Sequence, residues 1–278
     1  MIGALGVLAD VVLGEPPAAV HPVRGFGRLM AAVELRTYRD SRLAGAGYTT
    51  LGLAAGLASG LFIRGPVATY LAVAGRSLWD EARGVQRALD DDKLETARRR
   101  LPALVGRDPT GLDEKEVARA AVESVAENTV DAIVAPILWG RAGLALAYRA
   151  VNTMDALVGH TSPRYERFGW ASARLDDGAN WLPARLTAAA VAAARPARAR
   201  AVWEAVRRQA PAHPSPNAGV AEAAFAAALD LRLGGENRYG NRVELRPPLG
   251  TGRPPEPRDI ERAVRLSQQV TAAVAVLA

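Results

Sequence analysis

The sequence predicts an all-α fold, and three observations carry that prediction. Alanine recurs throughout while aromatics make up only 5% of the chain, so any core has to be built from small, helix-forming side chains. Hydrophobic residues reach 49% and gather in long stretches, broken by single charges or glycine–proline steps. The segments between those stretches are amphipathic and arginine-rich, with recognisable helix starts. A length of 278 residues allows one large domain or two small ones; no internal repeat or clean boundary is visible, so one domain over residues 1–278 is expected.

Taken in order, Met1 to Gly14 is apolar apart from Asp10 and lacks the basic opening of a secretion signal. Tyr48 to Gly75 is the strongest candidate for a membrane span, and Arg64-Gly65-Pro66 either folds it into a hairpin or kinks it. Arg76 to Arg107 is arginine-rich, with Asp90-Asp91-Asp92 marking a turn or a helix start. Asp113 to Asn128 reads as a helix, because Asp113 can cap it and Glu116 completes a capping box. Asp131 to Val151 is a second apolar stretch, interrupted by Pro136, Gly140, Arg141 and Gly143. Leu182 to Ala194 is short and contains Arg185, Arg195 to Arg208 is a basic helix, and Gln269 to Ala278 is apolar. Ala210 to Gly219 and Gly234 to Pro257 are expected to be loops on their proline and glycine content. Crossing a bilayer takes about 20 mostly apolar residues. No stretch here is that clean, so the residues leave two readings open: membrane-spanning helices, or Ala-rich helices packed in a soluble protein.

Lys and Arg total 35 against 29 Asp and Glu, a net charge of +6, and all but Lys93 and Lys115 of the basic residues are arginine. Aromatics are not interleaved with the basic residues, so nucleic-acid binding is not expected. The absence of cysteine excludes disulfides, zinc–thiolate sites and thiol nucleophiles. No phosphate-binding GxxxxGK[ST] loop, dinucleotide GxGxxG or GxSxG elbow occurs.

Polar residues crowd instead into a few short blocks. In HPVRGFGR, His21 to Arg28, a histidine and two arginines on a turn-rich backbone could grip an anion; a solvated turn is the plain alternative. In AVESVAENTVDAIVAP, Ala121 to Pro136, the carboxylates of Glu123, Glu127 and Asp131 are four residues apart, hence on one helical face. Such repulsion is relieved by a divalent cation or by arginines from elsewhere, unless the stripe is simply solvated. In RFGWASARLDDGANWLPARLT, Arg167 to Thr187, Asp176, Asp177 and Asn180 suit Mg²⁺, and the flanking Arg174 and Arg185 suit phosphate oxygens. HPSPNAG, His213 to Gly219, and LGGENRYG, Leu233 to Gly240, are loops able to position a ligand.

These blocks, in this order, resemble the adenosylcobinamide-phosphate synthase family of cobalamin biosynthesis, known as CbiB or CobD. The resemblance rests on DVVLGEPP with HPVRGFGR, VGRDPTGL, ESVAENTVDAIVAP, YRAVNTMDALVGH, RYERFGWASARLDDGANWLPARLT, HPSPNAG and LGGENRYG, and spans Asp10 to Gly240. The chain departs from the family pattern at Val130 and Ala132, where ENTSDG is common, and at Pro109, where threonine is usual.

The resemblance implies a multi-pass integral membrane helical protein with soluble helical and loop segments, in the cell membrane, its active site on the cytoplasmic side. It implies ATP-dependent amide ligation of (R)-1-amino-2-propanol or its O-phosphate to the free carboxylate of cobyric acid, a corrinoid, with Mg²⁺ as cofactor. A non-catalytic corrinoid-binding partner is the alternative, and other late cobalamin-pathway enzymes are candidate partners. Within that chemistry, Glu127, Asp131, Asp176 and Asp177 are expected to hold Mg²⁺, Asp176 and Asp177 being catalytic. Arg24, Arg174, Arg185 and Arg107 are expected at phosphate groups. His21 or His213 is expected to act as base. Asn128, Asn180 and Asn217 are expected to bind the amides around the corrinoid, and Trp170 and Trp181 either pack on its face or anchor at a membrane interface.

Overall fold

A computed structural model describes residues 2–106, 108–160, 162–239 and 242–277, excluding the side chains of residues 2, 238, 239, 242 and 243. The chain forms two compact units. The first comprises Met1–Gly75, Asp131–Pro183 and Ala275–Ala278; the second comprises Arg76–Val130 and Ala184–Val274.

In the first unit, α9 (Ala145–Val158) is the hub, packed against α2 (Pro22–Thr37), α3 (Arg42–Phe62), α4 (Gly65–Ala72) and α8 (Ala135–Arg141), while α1 (Ile2–Leu13) lies on α4 and α8. Small residues make the α3–α9 contact close. A Cβ at Gly52 would overlap the Met154 sulfur, and one at Gly56 would come within 2.7 Å of the Ala150 Cβ. Met30, Tyr48, Val151, Met154, Val158 and Phe168 fill the core beside that contact. HPVRGFGR, expected as a turn-rich loop, is helical from Pro22 onward. Proline suits the first helical position, and His21 caps the helix, its Nδ1 accepting from the Val23 N–H at 3.2 Å.

The expectation of a multi-pass membrane protein is corrected here: among the described residues, no helix is both long and apolar enough to cross a membrane. The apolar stretches are cut into pieces. Tyr48 to Gly75 breaks after Phe62, and the next helix starts at Gly65 with φ +61°. Asp131 to Val151 divides into a π-helical turn (Val130–Val134), α8 and α9, with the chain reversing at Gly143, φ +74°. The 21-residue α3 has the length, but its glycines and Thr49–Thr50 dilute its apolarity in favour of close packing. The 25-residue α10 (Trp170–Ala194) carries Arg174, Asp176, Asp177 and Arg185. Leu5, Leu8, Leu57, Leu61 and Phe62 of the first unit remain exposed.

The second unit is built around α12 (Ala218–Leu229), buried along its whole length and therefore apolar on all sides except at Glu222. Around it pack α7 (Glu114–Thr129), α11 (Ala199–Arg208) and a two-stranded antiparallel hairpin, β1 (Leu233–Tyr239) and β2 (Arg242–Leu249). α7 opens with the expected capping box: Asp113 accepts from the Glu116 N–H and Glu116 from the Asp113 N–H, both at 2.8 Å. The hairpin replaces a segment expected to be loop. Its irregular start uses Gly234 and Gly235, at φ +84° and +106°, and the strands settle into register at Gly235 opposite Arg246.

In the same unit, α5 (Gly75–Asp90) is tied to α13 (Pro257–Leu277) through Trp79, whose indole N–H donates to Ser267 Oγ at 3.0 Å. The start of α13 is fastened by the fully buried Asp259, which accepts from Arg253 at 2.7 and 3.0 Å, from Arg262 and from the Glu256 N–H at 2.8 Å. Burial alone would raise the Asp259 pKa, but these donors outweigh it and hold the carboxyl below its ordinary value. Its stabilisation is thus present above the usual carboxylate range and is lost as pH falls through the depressed value. Asp259→Ala should cost about 3 kcal/mol in urea unfolding at neutral pH, with a smaller difference from wild type in acid.

Candidate functional site

A polar cluster of the first unit gathers on the face of α9 turned away from α3. Tyr148, Arg149 and Asn152 occupy that face, opposite the core residues Ala147, Val151 and Met154. Asn152 Nδ2 lies 3.5 Å from Asp131 Oδ2 and 3.3 Å from Asp176 Oδ1, so a single amide bridges two carboxylates. Asn180 donates to the other Asp176 oxygen at 2.9 Å, and its own Oδ1 lies 2.9 Å from the Tyr148 hydroxyl. That hydroxyl is also 3.0 Å from the Asp131 carbonyl oxygen, and its one proton serves both acceptors. Burial first, then the charges of Asp131 and Asp176, raise the Tyr148 pKa, so it remains a neutral donor. Arg149 donates to Asn152 Oδ1 at 3.1 Å. Beside Arg149 opens a pocket of about 70 Å³ with an apolar lining that includes Pro22, Phe26 and Leu146.

The cluster therefore unites three predicted residues, Asp131, Asp176 and Asn180, with three that the sequence reading did not assign. Their signal was the i, i+3 spacing of Arg149 and Asn152 within YRAVNTMD. Asp131 reaches the cluster from the π-helical turn, which breaks the four-residue spacing on which the acidic stripe was predicted. Asp177 follows Asp176 on a helix and so points about 100° away. It pairs at 3.5 Å with the exposed Arg174, and burial raises its pKa against the opposing effect of that arginine.

Among the described residues, no group of three or more His, Asp or Glu could hold a metal ion. Within the first unit the expected metal set thus contracts to the Asp131–Asp176 pair. The amides present their nitrogens to these carboxylates, so the oxygen ligands for Mg²⁺ would come from the two carboxylates themselves, which suits an ion that binds through one or two carboxylates and completes its shell with water and phosphate oxygens.

Both histidines offered as bases have their ring nitrogens engaged. His21 Nδ1 caps α2 and Nε2 lies 3.4 Å from Glu15. Burial lowers its pKa, with Arg24 and Arg149 adding to that effect and Glu15 opposing it. The exposed Arg24 is accordingly close enough to His21 to be felt electrostatically.

In the second unit, His213 Nε2 lies 3.0 Å from Arg246 Nη1 and Nδ1 lies 3.2 Å from the Ser215 carbonyl. Nδ1 also accepts from the Ser215 backbone N–H at 3.1 Å, so both ring nitrogens are engaged. Burial, then Arg246, lowers its pKa. Two other predicted residues of this unit meet, Arg185 donating to Asn217 Oδ1 at 2.8 Å. Asn128 turns back to Ser124 on its own helix, with distances of 3.0 and 3.1 Å. Glu127 also belongs to this unit, whereas Arg107 lies outside the described residues. Trp170 and Trp181 are both exposed, Trp170 lying under the Arg42 guanidinium at 5.7 Å.

Comparison with known proteins matches residues 3–267 to the family described as CobD/Cbib protein. The cobalamin biosynthesis protein CobD of Mycobacterium tuberculosis is 49% identical over 291 residues, covering 99% of this chain and 93% of the relative. The proteins of that name from Chromobacterium violaceum and Rhodobacter capsulatus are 44% and 42% identical, covering 94% and 100% of this chain and 90% and 95% of the relatives. No solved structure matches the chain. A family match across nearly its whole length, with relatives at such identity, shows that this chain belongs to the CobD/Cbib family and has a role in cobalamin biosynthesis.

Proposed function

We propose that the protein is an ATP-dependent amide ligase, joining the amine of (R)-1-amino-2-propanol or its O-phosphate to the free carboxylate of cobyric acid. The observation that carries this reading is the pair of carboxylates, Asp131 and Asp176, held together by Asn152 beside Arg149. Forming an amide from a carboxylate and an ammonium in water is uphill. The carboxylate oxygen has to take a phosphoryl group from ATP and leave with it as phosphate when nitrogen attacks. The site must therefore hold anionic phosphate and a cationic amine together, then remove the amine's proton.

Asp131 and Asp176 bring negative charge for the ammonium and would hold Mg²⁺, which when bound neutralises phosphoryl oxygens. Asn152 and Asn180 orient the two carboxylates, and the neutral Tyr148 fixes Asn180. Arg149 supplies a positive charge within reach of a phosphate or of the developing oxyanion. The engaged histidines yield the role of base. We assign that role to Asp177, whose pKa burial raises above its ordinary value against the opposing Arg174.

The test is mass-spectrometric detection of the amide from cobyric acid, ATP, Mg²⁺ and either amine, with nucleotide products recorded; folded protein that forms no product would sink the ligase reading. Asp176→Asn should lower turnover about 100-fold or more with helicity unchanged by circular dichroism, and a wild-type rate would remove Asp176 from the site. Asp131→Asn should raise the Mg²⁺ concentration giving half-maximal rate by about tenfold. Asp177 is a carboxyl whose pKa is raised on folding, so its ionisation at neutral pH opposes folding. Asp177→Asn should leave the neutral-pH melting temperature equal to or above wild type while abolishing the acidic limb of the pH–rate profile.

A further inference from the structure

The pocket beside Arg149 opens between α2, α3 and α9 of the first unit. Leu146, Arg149, Ala150 and Thr153 follow one another at i, i+3, i+4 and i+7, so they form a single stripe of α9, with Val23 and Phe26 of α2 completing the walls. A volume of about 70 Å³ admits only a few heavy atoms. Gly56 and Ala150 also line it, and a Cβ at Gly56 would come within 2.7 Å of the Ala150 Cβ, so α3 and α9 already touch there. The shape is thus fixed by close helix contact before any ligand arrives.

The hydroxyls in the lining are turned to other partners. Ser59 Oγ donates to the Ala55 carbonyl at 2.9 Å, and Thr153 Oγ1 donates to the Arg149 carbonyl at 2.7 Å. Both protons are spent, so the pocket itself offers apolar surface. Arg149 is its charged residue. Nη1 donates to Asn152 Oδ1 at 3.1 Å and lies 3.5 Å from the Asp131 carbonyl, while Nε and Nη2 meet no acceptor among the described residues. The N–H groups of Nε and Nη2 point along the same edge of the guanidinium, which leaves a two-donor fork open. Asn152, on the next turn of the same helix, bridges Asp131 and Asp176. An apolar pocket, a cationic fork and a pair of carboxylates therefore meet around Arg149.

We infer that this pocket receives the methyl group of the amino alcohol and thereby selects the branched amine over the unbranched one. The inference deepens the proposed ligation and rests on it for the identity of the substrate. In 1-amino-2-propanol a single carbon carries the methyl group, the oxygen and the aminomethyl arm. With the methyl group in the pocket, the oxygen or its phosphate meets the open edge of Arg149 and the ammonium is directed to the carboxylates. Surfaces that read all three substituents of one carbon also separate its mirror-image forms, because exchanging two substituents sets a polar group against the apolar wall. An amine without the methyl group forfeits its burial, a difference of about tenfold or more in an apolar pocket. Ser59, exposed at the rim, is then a specificity-determining position.

The test compares (R)-1-amino-2-propanol, its S enantiomer and ethanolamine, each supplied free and as its O-phosphate, by kcat/KM for amide formation and by calorimetric titration into the full-length protein with Mg²⁺. The R amine should exceed ethanolamine about tenfold or more by either readout. Ser59→Leu, which fills the pocket from its rim, should bring that ratio close to one, while Leu61→Ala, on the exposed surface of the same helix, should leave it as in the wild type. Phe26→Ala should widen the pocket and raise kcat/KM for 1-amino-2-butanol relative to 1-amino-2-propanol, which keeps a variant in hand if Ser59→Leu fails to fold. Equal use of the R amine and ethanolamine by the wild type, or a ratio unchanged in folded Ser59→Leu, overturns the methyl pocket and leaves the ligase standing. Absence of amide from every amine sinks the ligase. In that case a calorimetric preference for the R amine that Ser59→Leu removes still supports the pocket, and no binding or no preference overturns it.

Discussion

The close approach of α3 to α9 is the constraint on which the first unit depends. Gly52 and Gly56 remove the side chains that would otherwise separate the helices, and Met154, Ala150 and Ala147 occupy the space. Clasping one side of α9 in this way fixes its rotation, and 3.6 residues per turn then aim Tyr148, Arg149 and Asn152 in the opposite direction. The polar cluster is thus a consequence of apolar packing on the far side of the same helix. A larger residue at either glycine would push α3 away or rotate α9, moving the amide that bridges Asp131 and Asp176. A site built on a rigid helix gains its precision in this manner.

The second unit reaches the same end by burying charge rather than by close backbone contact. α12 is enclosed on all sides, and its Glu222 faces His213 and Arg246 at 3.6 and 3.8 Å. Asp259 is likewise surrounded by arginines and a backbone N–H. Buried carboxylates of this kind are tolerated only with their donors in place, so each specifies a local arrangement. The near-total preference for arginine over lysine fits that use, since a fixed planar fork loses less freedom per hydrogen bond than a flexible ammonium.

Local signals were legible in the sequence because they act within a few residues. The capping box at Asp113 and Glu116, the turn at Asp92 and the break at Arg64-Gly65-Pro66 all occur where the residues imply them. Asp176 and Asn180, one turn apart on α10, do meet as their spacing suggests. The hairpin was hidden by its own turn-forming residues: Gly234, Gly235, Pro247 and Pro248 read as loop, although they form an irregular strand start and a strand end. The π-helical turn was invisible as well, because an extra residue in a helix leaves no mark in composition, yet it sets where Asp131 lies.

Hydropathy counts apolar residues without saying what covers them, and the membrane expectation failed because, among the described residues, no helix is both long and apolar enough to cross. Similarly, a histidine in a polar block has the same appearance in sequence whether its ring is open to a substrate or spent on a helix cap, as at His21, or on an arginine, as at His213. The sequence by itself determined the helical class, the order of the polar blocks and hence the family, since these follow from residue type and short-range spacing. Only the tertiary structure decided which carboxylates share an amide and which arginine borders an apolar pocket. Those outcomes depend on contacts between residues far apart in the chain, whose geometry no local pattern encodes.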